Sequence, residues 1–100
     1  MIVYNITINI SYAAEKDWVS YMKTTHIPEI MATELPLEVK LLRLLTEIEN
    51  DGSTYTSQFK FRTMEDFLAY QTHHQGPLLD KHHQLFNGQY VSFKTLLEEA

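Results

Sequence analysis

The 100-residue sequence predicts an α+β fold, with four strands and two helical regions in the order β-α-β-β-α-β. Three observations carry that reading. Residues 2–11 alternate strictly between two side-chain sets, which is the period of a strand. Two later stretches repeat apolar residues at helical spacing. Each of those stretches is followed or broken by a proline, Pro28 in the first and Pro77 in the second.

The elements follow in order. Ile2, Tyr4, Ile6, Ile8 and Ile10 share one face of the first strand, and Val3, Asn5, Thr7, Asn9 and Ser11 share the other. Over residues 14–26, Ala14, Trp18, Met22 and Thr25 recur at helical spacing, with Val19 and His26 at the edge of that stripe. Pro28 disfavours helix at Ile27 but suits the first turn of a new one. A kink is therefore expected there, then a short helical piece to about Thr33. Residues 37–49 read as a second strand. Leu42, Leu44, Thr46 and Ile48 lie on one face, and Val39, Leu41, Arg43, Leu45 and Glu47 on the other, so both faces should be covered in part.

Asp51-Gly52 signals a hairpin, because both turn positions must tolerate positive φ. Residues 54–62 form the third strand, with Tyr55, Ser57, Phe59 and Phe61 on one face. Thr63 with Asp66 three residues on marks a helix start. Met64, Phe67, Leu68 and Gln71 then make an inner stripe to about residue 75, where Gly76-Pro77 breaks the helix. A second piece over 77–86 presents Leu78, Leu79, His82, Leu85 and Phe86, and Asn87-Gly88 ends it. Val91, Phe93, Thr95 and Leu97 alternate in a fourth strand over 89–97. This is the ferredoxin-like order: one four-stranded antiparallel sheet with both helices on one face, in a single domain over residues 1–100.

Composition narrows the function. The formal net charge is -5 with eight basic residues scattered along the chain, a poor match to nucleic acid or an anionic membrane surface. The absence of cysteine removes disulfides, thiolate nucleophiles and Cys-ligated zinc. Residues 1–10 alternate and lack a basic start, unlike a signal peptide, and no apolar run reaches membrane-spanning length. A cytoplasmic protein is expected.

Two helices cover only one face of the sheet. The second strand and "YVSF" in the fourth are apolar on both sides, so a monomer would expose a large apolar patch. A twofold homodimer with its sheets face to face removes it.

The stretches "MIVYNITINI", "THIPE" and "GQYVSFKTLLE", in that order on a chain of this length, resemble a small bacterial family of unknown function. That family lies in the dimeric α/β-barrel superfamily. The resemblance runs over nearly the whole chain, with "HIPE" and "FKTLLE" its more specific parts. It implies a ferredoxin-like protomer and a sheet-to-sheet dimer, and no known activity. The wider superfamily includes cofactor-free monooxygenases, lactone isomerases, dye- and haem-degrading enzymes and ligand-binding regulatory domains. Many hold their pocket between sheet and helices.

The five histidines are the candidate chemistry. The helical wheel turns His26 and His82 inward, leaves His74 at the margin, and turns His73 and His83 outward. The inward pair flanks two proline breaks, where helices splay. One reading makes His26 and His82 acid/base or orienting groups in one cavity, since imidazole titrates near neutrality. Tyr4, Trp18, Met22, Phe59 and His74 would then line the substrate site. The other reading makes the histidines structural, with His26 a cation at a helix C-terminus. Adjacent histidines point apart on a helix, so His73-His74 and His82-His83 make a weak metal signal. Haem degraders of the superfamily pair a first-strand Asn with a late Trp and His, whereas Trp18 lies in the first helix. Arg43 reaches the pocket, the dimer interface, or Glu47 and Glu49 across the hairpin. The expectation is a homodimer that takes a small molecule without metal or organic cofactor. It acts as an oxygenase- or isomerase-like enzyme, as a non-catalytic binding or regulatory dimer, or as a purely structural dimer.

Overall fold

A computed structural model describes residues 1–46 and 51–100. Strand β1 (Ile2–Ser11) leads into helix α1 (Tyr12–Tyr21), a π-helical turn (Met22–His26) and helix α2 (Ile27–Met31). Strands β2 (Pro36–Arg43) and β3 (Gly52–Phe61) follow. Helix α3 (Met64–Tyr70), a second π-helical turn (Gln71–Gln75), helix α4 (Gly76–Phe86) and strand β4 (Tyr90–Glu98) complete the chain. The sheet runs β2-β3-β1-β4 with every neighbour antiparallel. This is the ferredoxin-like β-α-β-β-α-β fold, with both helical arms on one face.

The alternation of β1 decides which face that is. Ile2, Tyr4, Ile6, Ile8 and Ile10 are buried beneath the helices, while Val3, Asn5, Thr7 and Asn9 are half-buried on the other face. Phe59 and Phe61 of β3 join them, and Ala14, Trp18, Met22, Ile30, Phe67, Tyr70 and Phe86 close the core from above.

Neither proline breaks its helix. The chain stays helical across both, because a π-turn precedes each. The Ile27 N–H bonds back five residues to the Met22 carbonyl, so the ladder is already widened where Pro28 enters. The extra residue also resets the angular phase. Ala14, Trp18, Met22, His26 and Ile30, each four apart, are all buried. In a pure α-helix such a row drifts by about 40° per step. The second arm behaves alike. Phe67, Tyr70, Gln75, His82 and Phe86 are buried, whereas the expected stripe residues Met64, Leu68 and Leu85 are exposed.

Three further expectations change. Helix α2 ends at Met31, and Glu34 at φ 64° closes the turn into β2. The second strand stops at Arg43, with Leu45 87% exposed; Glu47, Ile48 and Glu49 lie outside the described residues. Gly52 is required for space, since its backbone does not adopt positive φ: a Cβ there would collide with the Ile10 carbonyl oxygen. Positive φ occurs instead at Gly88 (79°), in a type II turn closed by the Gln89 N–H on the Phe86 carbonyl at 3.0 Å. Thr63 caps α3 as expected, its side chain accepting from the Asp66 N–H at 3.1 Å.

Candidate functional site

The sheet and the two helical arms line a cavity of about 180 Å³ that opens to solvent at the β4 edge. Its floor is the helix-side face of three strands. Register places Ile6 of β1 between Ser57 of β3 and Lys94 of β4, and sets Ile8 beside Ser92. Phe59 and Met22 extend the apolar wall, and His26 and His82 form the roof with Leu79. Asp80, His83 and Tyr90 stand at the mouth, where His83 Nδ1 and the Tyr90 hydroxyl pair at 2.9 Å.

His26 is the last residue of the first π-turn, and His82 sits mid-way along α4. Their rings are 5.4 Å apart, centre to centre. Tyr21 stacks on His26 at 5.7 Å, and Tyr90 meets His82 edge-on at 4.8 Å. Because the helix continues to Met31, His26 is no C-terminal cap. Both imidazoles are held neutral. Burial pushes His26 down to about 4, reinforced by the facing His82 and by Lys81 against an opposing pull from Glu29. Burial likewise pushes His82 down to about 4, with His83 adding to it.

Hydrogen bonding separates their roles. The Trp18 indole N–H donates to His82 Nε2 at 2.9 Å. An indole can only donate, so Nε2 must accept and the His82 proton resides on Nδ1. No group among the described residues takes that Nδ1–H bond. His26 Nδ1 is sealed from solvent and has no partner among the described residues either, an expensive state for a buried polar atom. Both rings line the same cavity, and Trp18 fixes His82 in one tautomer.

The residues singled out from the sequence divide accordingly. His26, His82, Met22 and Phe59 line the cavity. Trp18, wholly buried, stands behind His82 and orients it. Tyr4 and His74 lie elsewhere. The Tyr4 hydroxyl accepts from the Gln75 side chain while its ring packs on Phe67, and His74 stacks on Tyr70 at 6.4 Å. Arg43 contacts Ser53 at 3.5 Å, beside the Glu15 carboxylate that Ser53 and Tyr55 bond at 3.0 and 2.6 Å. No group of three or more His, Asp or Glu among the described residues is arranged to hold a metal ion.

Ser57, Ser92 and Lys94 were not anticipated. Ser57 carried a signal, a small polar residue on the inward face between Tyr55 and Phe59. Lys94 and Ser92 became visible only with the β1–β4 register.

The fold recurs among solved structures. HapK from Hahella chejuensis superposes with a TM-score of 0.72 at 11% identity, covering 100% of this chain and 93% of that one. SnoaB from Streptomyces nogalater, a cofactor-independent oxygenase, gives 0.70 at 16% identity, with 99% and 93% covered. A dimeric ferredoxin-like protein from an uncultured marine organism gives 0.62 at 12%, with 99% and 96% covered. At these identities the likeness is one of fold. No helix among the described residues is long and apolar enough to cross a membrane. No curated protein matches the chain in sequence. A family profile does match it, over residues 1–100, and the chain belongs to the family described as "Domain of unknown function (DUF4286)".

Proposed function

We propose that the chain binds a small organic molecule between sheet and helices and transfers a proton on it, as an oxygenase- or isomerase-like enzyme needing no metal or organic cofactor. The observation that carries this is the pair of buried, neutral histidines, 5.4 Å apart, that line one cavity. His26 accepts a proton from an enolisable C–H or a phenolic O–H. His82, fixed by Trp18, donates its Nδ1–H to the oxygen on which negative charge develops. Met22 and Phe59 hold the carbon skeleton. SnoaB, which has this fold and is described as a cofactor-independent oxygenase, supports the reading.

The test follows α-proton exchange of cyclohexanone in D2O by proton NMR. The wild type is expected to accelerate exchange over buffer, and His26→Gln to lose about 100-fold or more of that acceleration. Binding without acceleration would favour a non-catalytic binding protein. Absence of both would leave the histidines structural.

We further propose that the site works in a homodimer formed through the outer sheet faces. Val91, Phe93 and Leu97 of β4 are 70%, 64% and 50% exposed on that face, together with Leu42 of β2 at 46%. Such a strip on a sheet invites a covering layer. Sedimentation at micromolar concentration is expected to show a dimer for the wild type and a monomer for Phe93→Glu.

A further inference from the structure

We propose that the ligand of this cavity is a small carboxylic acid built on about one six-membered ring, its carboxylate held on the sheet wall by Lys94 and Ser92. This rests on the proposed binding function and names the chemical class it serves.

Size sets the first limit. A cavity of about 180 Å³ is close to the space that accepts one benzene-sized ring and leaves room for little more than one substituent. The shape of the lining sets the second. Ile6, Ile8, Met22 and Phe59 offer an apolar floor and wall suited to a ring.

Charge sets the third. Lys94 points from β4 to the helix side, in register with Ile6, and makes no ion pair among the described residues. The other lysines that face carboxylates are engaged: Lys60 with Glu38 and Glu99, and Lys81 with Glu29. Ser92 lies two residues away on the same strand face, and Ser57 flanks Ile6 on the opposite side from Lys94. Ser57 is 2% exposed, and its hydroxyl has no hydrogen-bond partner among the described residues. The sheet wall thus presents one ammonium, the hydroxyls of Ser57 and Ser92 and, at the mouth, that of Tyr90, and no carboxylate. The single acidic group of the lining, Asp80, stands across the mouth on α4. An anionic head is attracted to the sheet side and repelled from the helix side, which leaves the ring beneath His26 and His82.

The two members of a matched pair, cyclohexanecarboxylate and cyclohexylmethanol, test this with the full chain at neutral pH. Trp18, the one tryptophan, reports through its bond to His82. The acid is expected to give a saturable change in Trp18 emission and to bind about tenfold more tightly than the alcohol. Lys94→Gln should reduce the acid to the affinity of the alcohol and leave the alcohol unchanged. Asp80→Asn should tighten binding of the acid. Thermal melts confirm that both variants are folded. Equal affinity for acid and alcohol, or an acid affinity indifferent to Lys94→Gln, overturns the anion assignment while the cavity remains a binding site. Binding of neither compound overturns both proposals.

Discussion

Acidification from about pH 7.5 to about pH 5 is expected to remove up to about 4 kcal/mol of folding stability through His26 and His82 together. Each titrates at about 4 when folded and at the ordinary histidine value of 6.5 when unfolded. Between those values the unfolded chain binds more protons than the folded one, so stability rises with pH. The contribution is complete above 6.5 and drains away as pH falls toward 4. The physical cause is burial: His26 is 3% exposed and His82 4%. Protonating His82 would also set an N–H against the Trp18 N–H at Nε2. Denaturant unfolding at several pH values checks the prediction. A His26→Gln/His82→Gln double variant should flatten the slope, because the carboxylates that titrate below neutrality are common to both proteins. Parallel slopes would show that neither histidine is buried in the neutral form.

Gly52→Ala should destabilise the fold by about 3 kcal/mol or more. Its Cβ would meet the Ile10 carbonyl oxygen, and would come within 2.8 Å of the Asn9 amide oxygen. Both atoms belong to β1, one of the two strands paired on both sides. The obstacle is backbone of a central strand, which cannot swing aside as a side chain would. Gly76→Ala is the control. A Cβ there meets nothing within 4 Å and the residue is helical, so the change should be neutral or stabilising by up to about 1 kcal/mol. Equal midpoints for the two variants in urea would show that β1 and β3 can separate locally at little cost.

Strand β1 was fully legible in the sequence, because its isoleucines occupy alternate positions and period two admits one reading. The helical arms were legible as arms. Their inner stripes were only partly so, since a wheel drawn at 3.6 residues per turn cannot register the extra residue of a π-turn. Hence Thr25 was favoured over His26 in the stripe. The inward turn of His26 and His82 could be read locally. The presence of Ser57 and Lys94 in the same space could not, because it depends on pairing β1 with residues about 50 and 90 positions along the chain. His83 looked outward on the wheel and is exposed, yet it lies at the cavity mouth because Tyr90 of the edge strand meets it there.

The π-turns carry a consequence for how this chain can vary. Each helical arm is two helical segments joined by a five-residue π-turn that holds one extra residue. Removing one residue near Lys23 would turn the widened turn into plain α-helix and leave Ile30 facing the core, because the π-turn already absorbs the rotation of about 100° that the extra residue would otherwise impose. The π-turn is thus a take-up joint: it lets the arm carry one residue more than a plain helix while both segments keep their buried faces on the sheet. Among related chains, one-residue differences in the spacing from Trp18 to Ile30 should therefore coincide with gain or loss of the π-turn.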